Sequence, residues 1–203
     1  MVDCMSEKFR DPKISINKVY TKSGDNGSTF LIGGKKVKKY SSRVCAFGEI
    51  DQLNVYIGLC CSNDDINKTK LKDTLVVIQN DLFNLGNMLA SPDMTPGDSS
   101  PKIVESSVVF LEDTIDYYNS DLDSLKSFVL PGGSRLSVEF HLARVVCRKC
   151  ERLVVKICEE KNIDLIVVRY LNRLSDLLFV LSRYSNKLLN EKEHLWNPNH
   201  SKE

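Results

Sequence analysis

The stretch NKTKLKDTLVVIQNDLFNLGNMLA, residues 67–90, decides the fold class. Its Leu71, Leu75, Ile78, Leu82, Leu85 and Leu89 recur at alternating steps of four and three. That is the seam of a helix packed in a bundle. A half-buried strand would need a period of two, which these residues do not keep.

The same period returns on both sides. From Arg43 to Cys61 the spacing predicts a helix with Val44, Phe47, Ile50, Leu53, Tyr56, Ile57 and Cys60 on its inner side. The segment PDMTPGDSSP, residues 92–101, breaks the pattern with proline, glycine and serine. A third helix is expected from Lys102 to Tyr118, facing inward with Val104, Val108, Leu111 and Ile115. After the extended FVLPGG (128–133), Ser134 is placed as the N-cap of a long fourth helix reaching Lys161. A fifth runs from Asp164 to Asn190 on Val167, Leu171, Leu174, Leu178, Leu181 and Leu188. No segment alternates strongly enough to demand a strand. The fold class is therefore all-α, a five-helix bundle of ferritin-like up-down packing. Residues 1–17 read as a flexible leader, 18–190 as one domain opened by a loop, and 191–203 as a polar, mobile tail with one tryptophan.

Composition narrows the function. The chain has 203 residues, with 28 basic and 27 acidic side chains for a net charge of +1. A protein that coats nucleic acid or membrane through a global basic field would not be so balanced. No apolar run reaches the ~18–20 residues of a membrane span. The first residues carry neither a secretory signal nor an arginine-rich presequence, so the chain reads as cytoplasmic. Seven cysteines, an odd number set in helical context, suit a reducing compartment. Cys147 and Cys150 have C-x-x-C spacing. They have no second pair and lie within a helix rather than at its N-terminus, which favours plain reduced thiols over a metal or redox site. Glu191-x-x-His194 has one half of a di-iron spacing without the remaining ligands, and reads as a pair of surface residues.

Two segments depart from a plain bundle. Residues 18–39 hold six lysines and one aspartate, a local charge of +5. Within them TKSGDNGST (21–29) offers glycines, hydroxyls and backbone N–H groups, the ingredients of a phosphate cradle. It is neither a Walker A loop nor G-x-G-x-x-G, and a solvated basic loop would have the same composition. The second is HLARVVCRKCER (141–152), whose Arg144, Arg148, Glu151 and Arg152 share a helix face. Three guanidiniums on one face repel one another unless an anion or another subunit's carboxylate meets them, and their flat forks suit polyphosphate. An exposed basic face is the alternative. The two segments carry +8 between them, leaving −7 for the rest of the chain. The fifth helix adds Asn172, Asp176 and Arg183 between its leucines, as a site, an interface or salt-bridged packing would require.

Together, TKSGDNGST (21–29), AFGEIDQLN (46–54), FVLPGG (128–133), HLARVVCRKCER (141–152) and YLNRLSD (170–176) resemble the PduO-type ATP:cob(I)alamin adenosyltransferases. The blocks stand in the family's order and cover most of residues 18–190. The resemblance implies a homotrimer with each active site between two subunits, ATP and cob(I)alamin as substrates, and Mg²⁺ as the nucleotide's counterion. It implies that Thr21, Lys22, Ser23, Gly24, Asp25, Gly27, Ser28 and Thr29 wrap the triphosphate, with Lys39 as a further contact. Arg148, Glu151, Arg152 and Asn172 would complete the ATP site, with Asn172 near the metal-bound phosphates and no dedicated protein metal cage. Asp51 would pair with Arg144 of the neighbouring subunit on the corrinoid side. Phe128 and Phe179 would sit against the lower face of the corrin. A cobalamin reductase and an adenosylcobalamin-dependent mutase are the protein partners such chemistry implies. A matrix location, as in the family's mitochondrial members, would require a presequence already removed.

Three positions depart from the family pattern. Asn26 stands where a lysine is usual, Gln52 replaces a glutamate beside Asp51, and Lys149 replaces an arginine beside Arg148. Lys149 keeps the charge but loses the bidentate fork. The loss at Asn26 motivates a rival reading, a trimeric corrinoid and ATP carrier or sensor without turnover. A purely structural bundle is a third, and predicts no nucleotide protection against heat.

Overall fold

The computed structural model describes residue 17 and residues 19–92, 100–161 and 163–199. The leader (1–17, apart from its last residue), Lys18, residues 93–99 of the breaker and residues 200–203 of the tail lie outside the described residues.

Five helices form the body: α1 Ser42–Cys61, α2 Leu71–Ala90, α3 Glu105–Asn119, α4 Arg135–Lys161 and α5 Ile166–Leu188. The longest, α4, packs between α1 and α5, while α2 covers α1 and α3 covers α5. The core is one continuous cluster drawn from all five. All six residues of the α2 seam are buried, as their four-three spacing requires. Ser134 caps α4, its Oγ accepting the Ser137 N–H at 3.1 Å.

The structure corrects several expectations. Two short antiparallel pairs are present where no strand was expected. β1 Ser28–Phe30 pairs with β2 Lys36–Lys38, and β3 Val129–Leu130 pairs with β4 His194–Leu195. At two or three residues each, they are too short for alternation to register. The tail, read as polar and mobile, is fastened to the body at residues 194–196, by β4 and by the Trp196 backbone bonds to Phe128 and Ser127.

The inner side of α1 is also rotated. Arg43, Ala46 and Asn54 are buried beside Ile50, Leu53, Ile57 and Cys60, whereas Val44, Phe47 and Tyr56 are only half-buried. Arg43 is inside because its Nη1 donates to the Leu89 carbonyl at 2.8 Å, satisfying a C-terminal carbonyl of α2. Asn54 and Gln79 each donate to the other's backbone carbonyl, at 3.2 and 3.3 Å, and so tie α1 to α2. Ile103 takes the inward place expected of Val104, and Leu188 points outward at the C-terminal end of α5.

The turn before α4 has a strict requirement. Asn186 on α5 accepts the Ser134 N–H at 2.8 Å and donates to the Gly132 carbonyl at 3.0 Å. Gly133 holds φ at +86°, and a Cβ there would come within 2.4 Å of Asn186 Oδ1. Gly133→Ala is accordingly expected to cost about 2 kcal/mol or more, through the left-handed backbone and the broken Asn186 bonds. A fall in the urea midpoint with an unchanged slope would record it. Among the described residues, no helix is long and apolar enough to cross a membrane.

Candidate functional site

The basic loop is folded into two turns. Asp25 N–H donates to Lys22 O at 3.4 Å and Gly27 N–H to Gly24 O at 3.2 Å. Lys22 and Gly27 both occupy the left-handed region, at φ 60° and 70°. The hydroxyls of Thr21 and Ser23 share a hydrogen bond at 2.7 Å. The β1–β2 hairpin then brings Lys39 back, its N–H donating to Gly27 O at 3.0 Å. Its ammonium lies over Gly24, where an added Cβ would stand 3.1 Å from Nζ. Lys39 and the loop therefore form one cationic unit, although the sequence separates them. Leu31, buried, and Ile32, whose N–H donates to Ala90 O, fix this unit to the C-terminal end of α2.

On α4, Arg144, Arg148 and Arg152 line one hollow of about 230 Å³ with Val145, Val146 and Lys149. Arg144 is half-buried, and its Nε is fully enclosed with no hydrogen-bond partner among the described residues. Burial, reinforced by the Arg148 charge, pulls its guanidinium below the usual arginine range. A buried guanidinium N–H without an acceptor is costly, and among the described residues none supplies one. Lys149 leans the other way, its Nζ 2.8 Å from Glu49 Oε1 on α1, while Glu49 Oε2 is buried without a partner among the described residues.

The α5 residues complete this face. Asn172 Nδ2 donates to Glu151 Oε1 at 3.1 Å, and Asn172 Oδ1 accepts from Arg173 at 2.8 Å. Arg173 is in turn held by Glu112 of α3 at 2.8 Å. Burial raises the Asp176 carboxyl, Arg173 opposes that shift, and the neighbouring Glu151 adds to it. Glu151 and Asn172 are thus joined by a hydrogen bond, while Arg148 and Arg152, on the same helix as Glu151, line the hollow with Arg144. Arg173 is an unforeseen member whose signal lies in α3 rather than nearby. Among the described residues, no three carboxylate, imidazole or thiol groups gather as a metal cage. The two C-x-x-C thiols point apart, Cys147 to the Leu171 carbonyl and Cys150 to that of Glu49. Burial pushes the Cys150 thiol up to about 12 and Cys147 well above its ordinary value, so neither is a ready thiolate.

Asp51 is exposed in a separate hollow of about 440 Å³ between α1 and α2, beside Ile32, Phe47, Leu82 and Phe83. Among the described residues, no ion pair joins it to Arg144 within the chain. Phe128 precedes β3 and is 77% exposed, with its ring 6.0 Å from that of Trp196. Phe179 is half-buried on α5, 6.2 Å from the ring of His141. Burial first, then the Arg144 charge, lowers His141 to about 4, so this imidazole is neutral at physiological pH. The tail residues Glu193, whose charge opposes the lowering of His141, and Trp196, beside Phe128, were not assigned to this end of the bundle from the sequence.

Comparison with known proteins gives a consistent result. The family model described as cobalamin adenosyltransferase matches residues 19–185. The chain is 39% identical over 181 residues to a cobalamin adenosyltransferase of Cupriavidus metallidurans, covering 89% of this chain and 95% of that one. It is 42% identical over 171 residues to a corrinoid adenosyltransferase of Bacillus subtilis, covering 83% and 86%. Among solved structures, it is similar to a variant PduO-type ATP:corrinoid adenosyltransferase of Lactobacillus reuteri complexed with cobalamin and ATP. There the TM-score is 0.83 at 37% identity, over 89% of this chain and 97% of that one.

Proposed function

Because the chain belongs to the cobalamin adenosyltransferase family, we propose that it transfers the 5′-deoxyadenosyl group of ATP to the cobalt of cob(I)alamin. The products are adenosylcobalamin and triphosphate. The observation that carries this reading is the guanidinium row of Arg144, Arg148 and Arg152 beside an Asn172–Glu151 pair, a face shaped for polyphosphate.

The chemistry asks little of the protein as a nucleophile. Co(I) brings its own electron pair, which forms the bond to the 5′ carbon while the C–O bond breaks and triphosphate leaves with its electrons. The chain aligns the two reactants and neutralises the leaving group. Thr21 to Thr29, with Lys39, wrap the triphosphate, and the forks of Arg148 and Arg152 meet its oxygens. Glu151 holds Asn172 in place, and Asn172 would stand beside the phosphates that carry Mg²⁺. Mg²⁺ prefers oxygen ligands, and the carboxylates of Glu151 and Asp176 fit that preference beside phosphates. When bound, it would neutralise charge on the leaving triphosphate.

The assembly is a homotrimer whose sites lie between subunits. Arg144 has an enclosed Nε without an acceptor, and Asp51 is an exposed carboxylate on another side of the chain. Asp51 of one subunit and Arg144 of the next satisfy each other on the corrinoid side. Phe128 and Phe179 lie against the lower corrin face, excluding an axial base or water. A reductase must supply cobalt as Co(I), and an adenosylcobalamin-dependent mutase would consume the product. The buried thiols suit a reducing, cytoplasmic setting.

The test is turnover. With ATP, Mg²⁺ and chemically reduced cobalamin under anaerobic conditions, the corrinoid spectrum should convert as triphosphate is released. Binding of both substrates without conversion would instead establish the carrier or sensor reading that Asn26 favours.

A further inference from the structure

The segment after α5 folds back onto the body and ends on Phe128. Asn190 turns the chain at φ 56°, and the Glu191 N–H donates to Asn186 O at 2.8 Å. Glu193 then meets Arg183 through two hydrogen bonds, at 2.9 and 3.2 Å, and Arg183 also donates to the Asp123 carbonyl. With Arg183 only 6% exposed, this is a bidentate anchor screened from water. Beyond it, His194 and Leu195 pair with Leu130 and Val129. Trp196 N–H donates to the Phe128 carbonyl at 2.7 Å, and Ser127 Oγ donates to the Trp196 carbonyl at 2.7 Å.

Phe128 needs such support. It is a largely exposed ring carried beside a two-residue strand, so no packed interior fixes its orientation. Two-stranded ribbons of this size are not stable alone. The strand's position comes from β4, and the ring that packs against Phe128 is Trp196, tilted by 52°. Backbone and ring are thus both held by the same tail residue.

We propose that Trp196 is a positioning residue of the corrinoid subsite, anchored through Glu193 and Arg183, that holds Phe128 in the orientation closing the lower axial position of cobalt. The proposal rests on the placement of Phe128 given above. Releasing Trp196 would let Phe128 rotate and admit water or a base to that position. A displaced positioning group costs rate more than affinity, because ground-state contacts of the nucleotide are untouched.

The test uses the full chain with MgATP and Co(II)cobalamin, without reductant. The electron paramagnetic resonance spectrum then reports the lower axial ligand. Phe128→Ala and Trp196→Ala should both show an axially ligated Co(II) signal that wild type lacks. In steady state, Trp196→Ala should lose about tenfold in kcat with KM for ATP unchanged. Trp196→Phe should recover the wild-type spectrum, and the double variant should be no worse than Phe128→Ala alone. Circular dichroism and thermal unfolding confirm that each variant is folded. If Trp196→Ala keeps the wild-type spectrum while Phe128→Ala does not, the tail has no positioning role, though the placement of Phe128 survives. Should Phe128→Ala itself match wild type, that placement fails and the proposal with it. Additive losses in the double variant would equally overturn it, since Trp196 would then act independently of Phe128.

Discussion

Arg148→Ala is expected to lose about 10²–10³-fold in turnover while keeping the wild-type unfolding midpoint. The Arg148 side chain is exposed on the face of α4, where it lines the hollow shared with Arg144 and Arg152. Exposed side chains outside the core seldom change stability by more than about 0.5 kcal/mol. Its removal should even relieve Arg144, whose guanidinium the Arg148 charge disfavours. The loss therefore falls on the developing charge of the triphosphate, and amounts to about 3–4 kcal/mol of barrier. Arg148→Lys should recover only part of it, because an ammonium keeps the charge without the fork. Stopped-flow conversion of reduced cobalamin, beside calorimetric unfolding, checks both halves. Wild-type turnover in Arg148→Ala would remove the phosphate site from this face.

What could be read from the sequence follows from the range of each signal. The α2 seam was legible because its six apolar residues obey a period local to the helix. α1 was not, because it is apolar on several sides, with Val55 and Leu59 exposed, and its buried Arg43 depends on the carbonyl of Leu89, 46 residues away. Arg148, Glu151 and Arg152 were legible as a face because i, i+3 and i+4 spacing is itself geometry. Arg173 was not, since its orientation is set by Glu112 on another helix. The tail misled for a related reason. Polar composition and a two-residue strand look like disorder until Val129 and Leu130 are seen to offer a pairing edge. Lys39 became a partner of the loop only through the hairpin that returns it to Gly24.

Exchanging the charges of Asp51 and Arg144 should separate an intersubunit pair from two independent residues. On the proposed pairing, Asp51→Arg would place a second guanidinium opposite Arg144, and Arg144→Asp would set two carboxylates against each other at the same junction. Each single variant is expected to lose about 10²-fold or more in turnover, since like charges across an interface cost several kcal/mol. Each should also shift the proposed trimer towards smaller species in sedimentation velocity. The double variant restores opposite charges in reversed order and should regain at least about tenfold over either single. Full recovery is not expected, because an arginine built on α1 must reach from the apolar groove of Phe47 and Phe83, while the new aspartate is shorter than the half-buried guanidinium it replaces. The distinguishing quantity is the coupling. Losses that simply add would mean that Asp51 and Arg144 never meet, and that the enclosed Nε of Arg144 is satisfied by the corrinoid or nucleotide instead. Coupling confined to assembly, with turnover per trimer unchanged, would make the pair structural and move the corrinoid side of the site elsewhere.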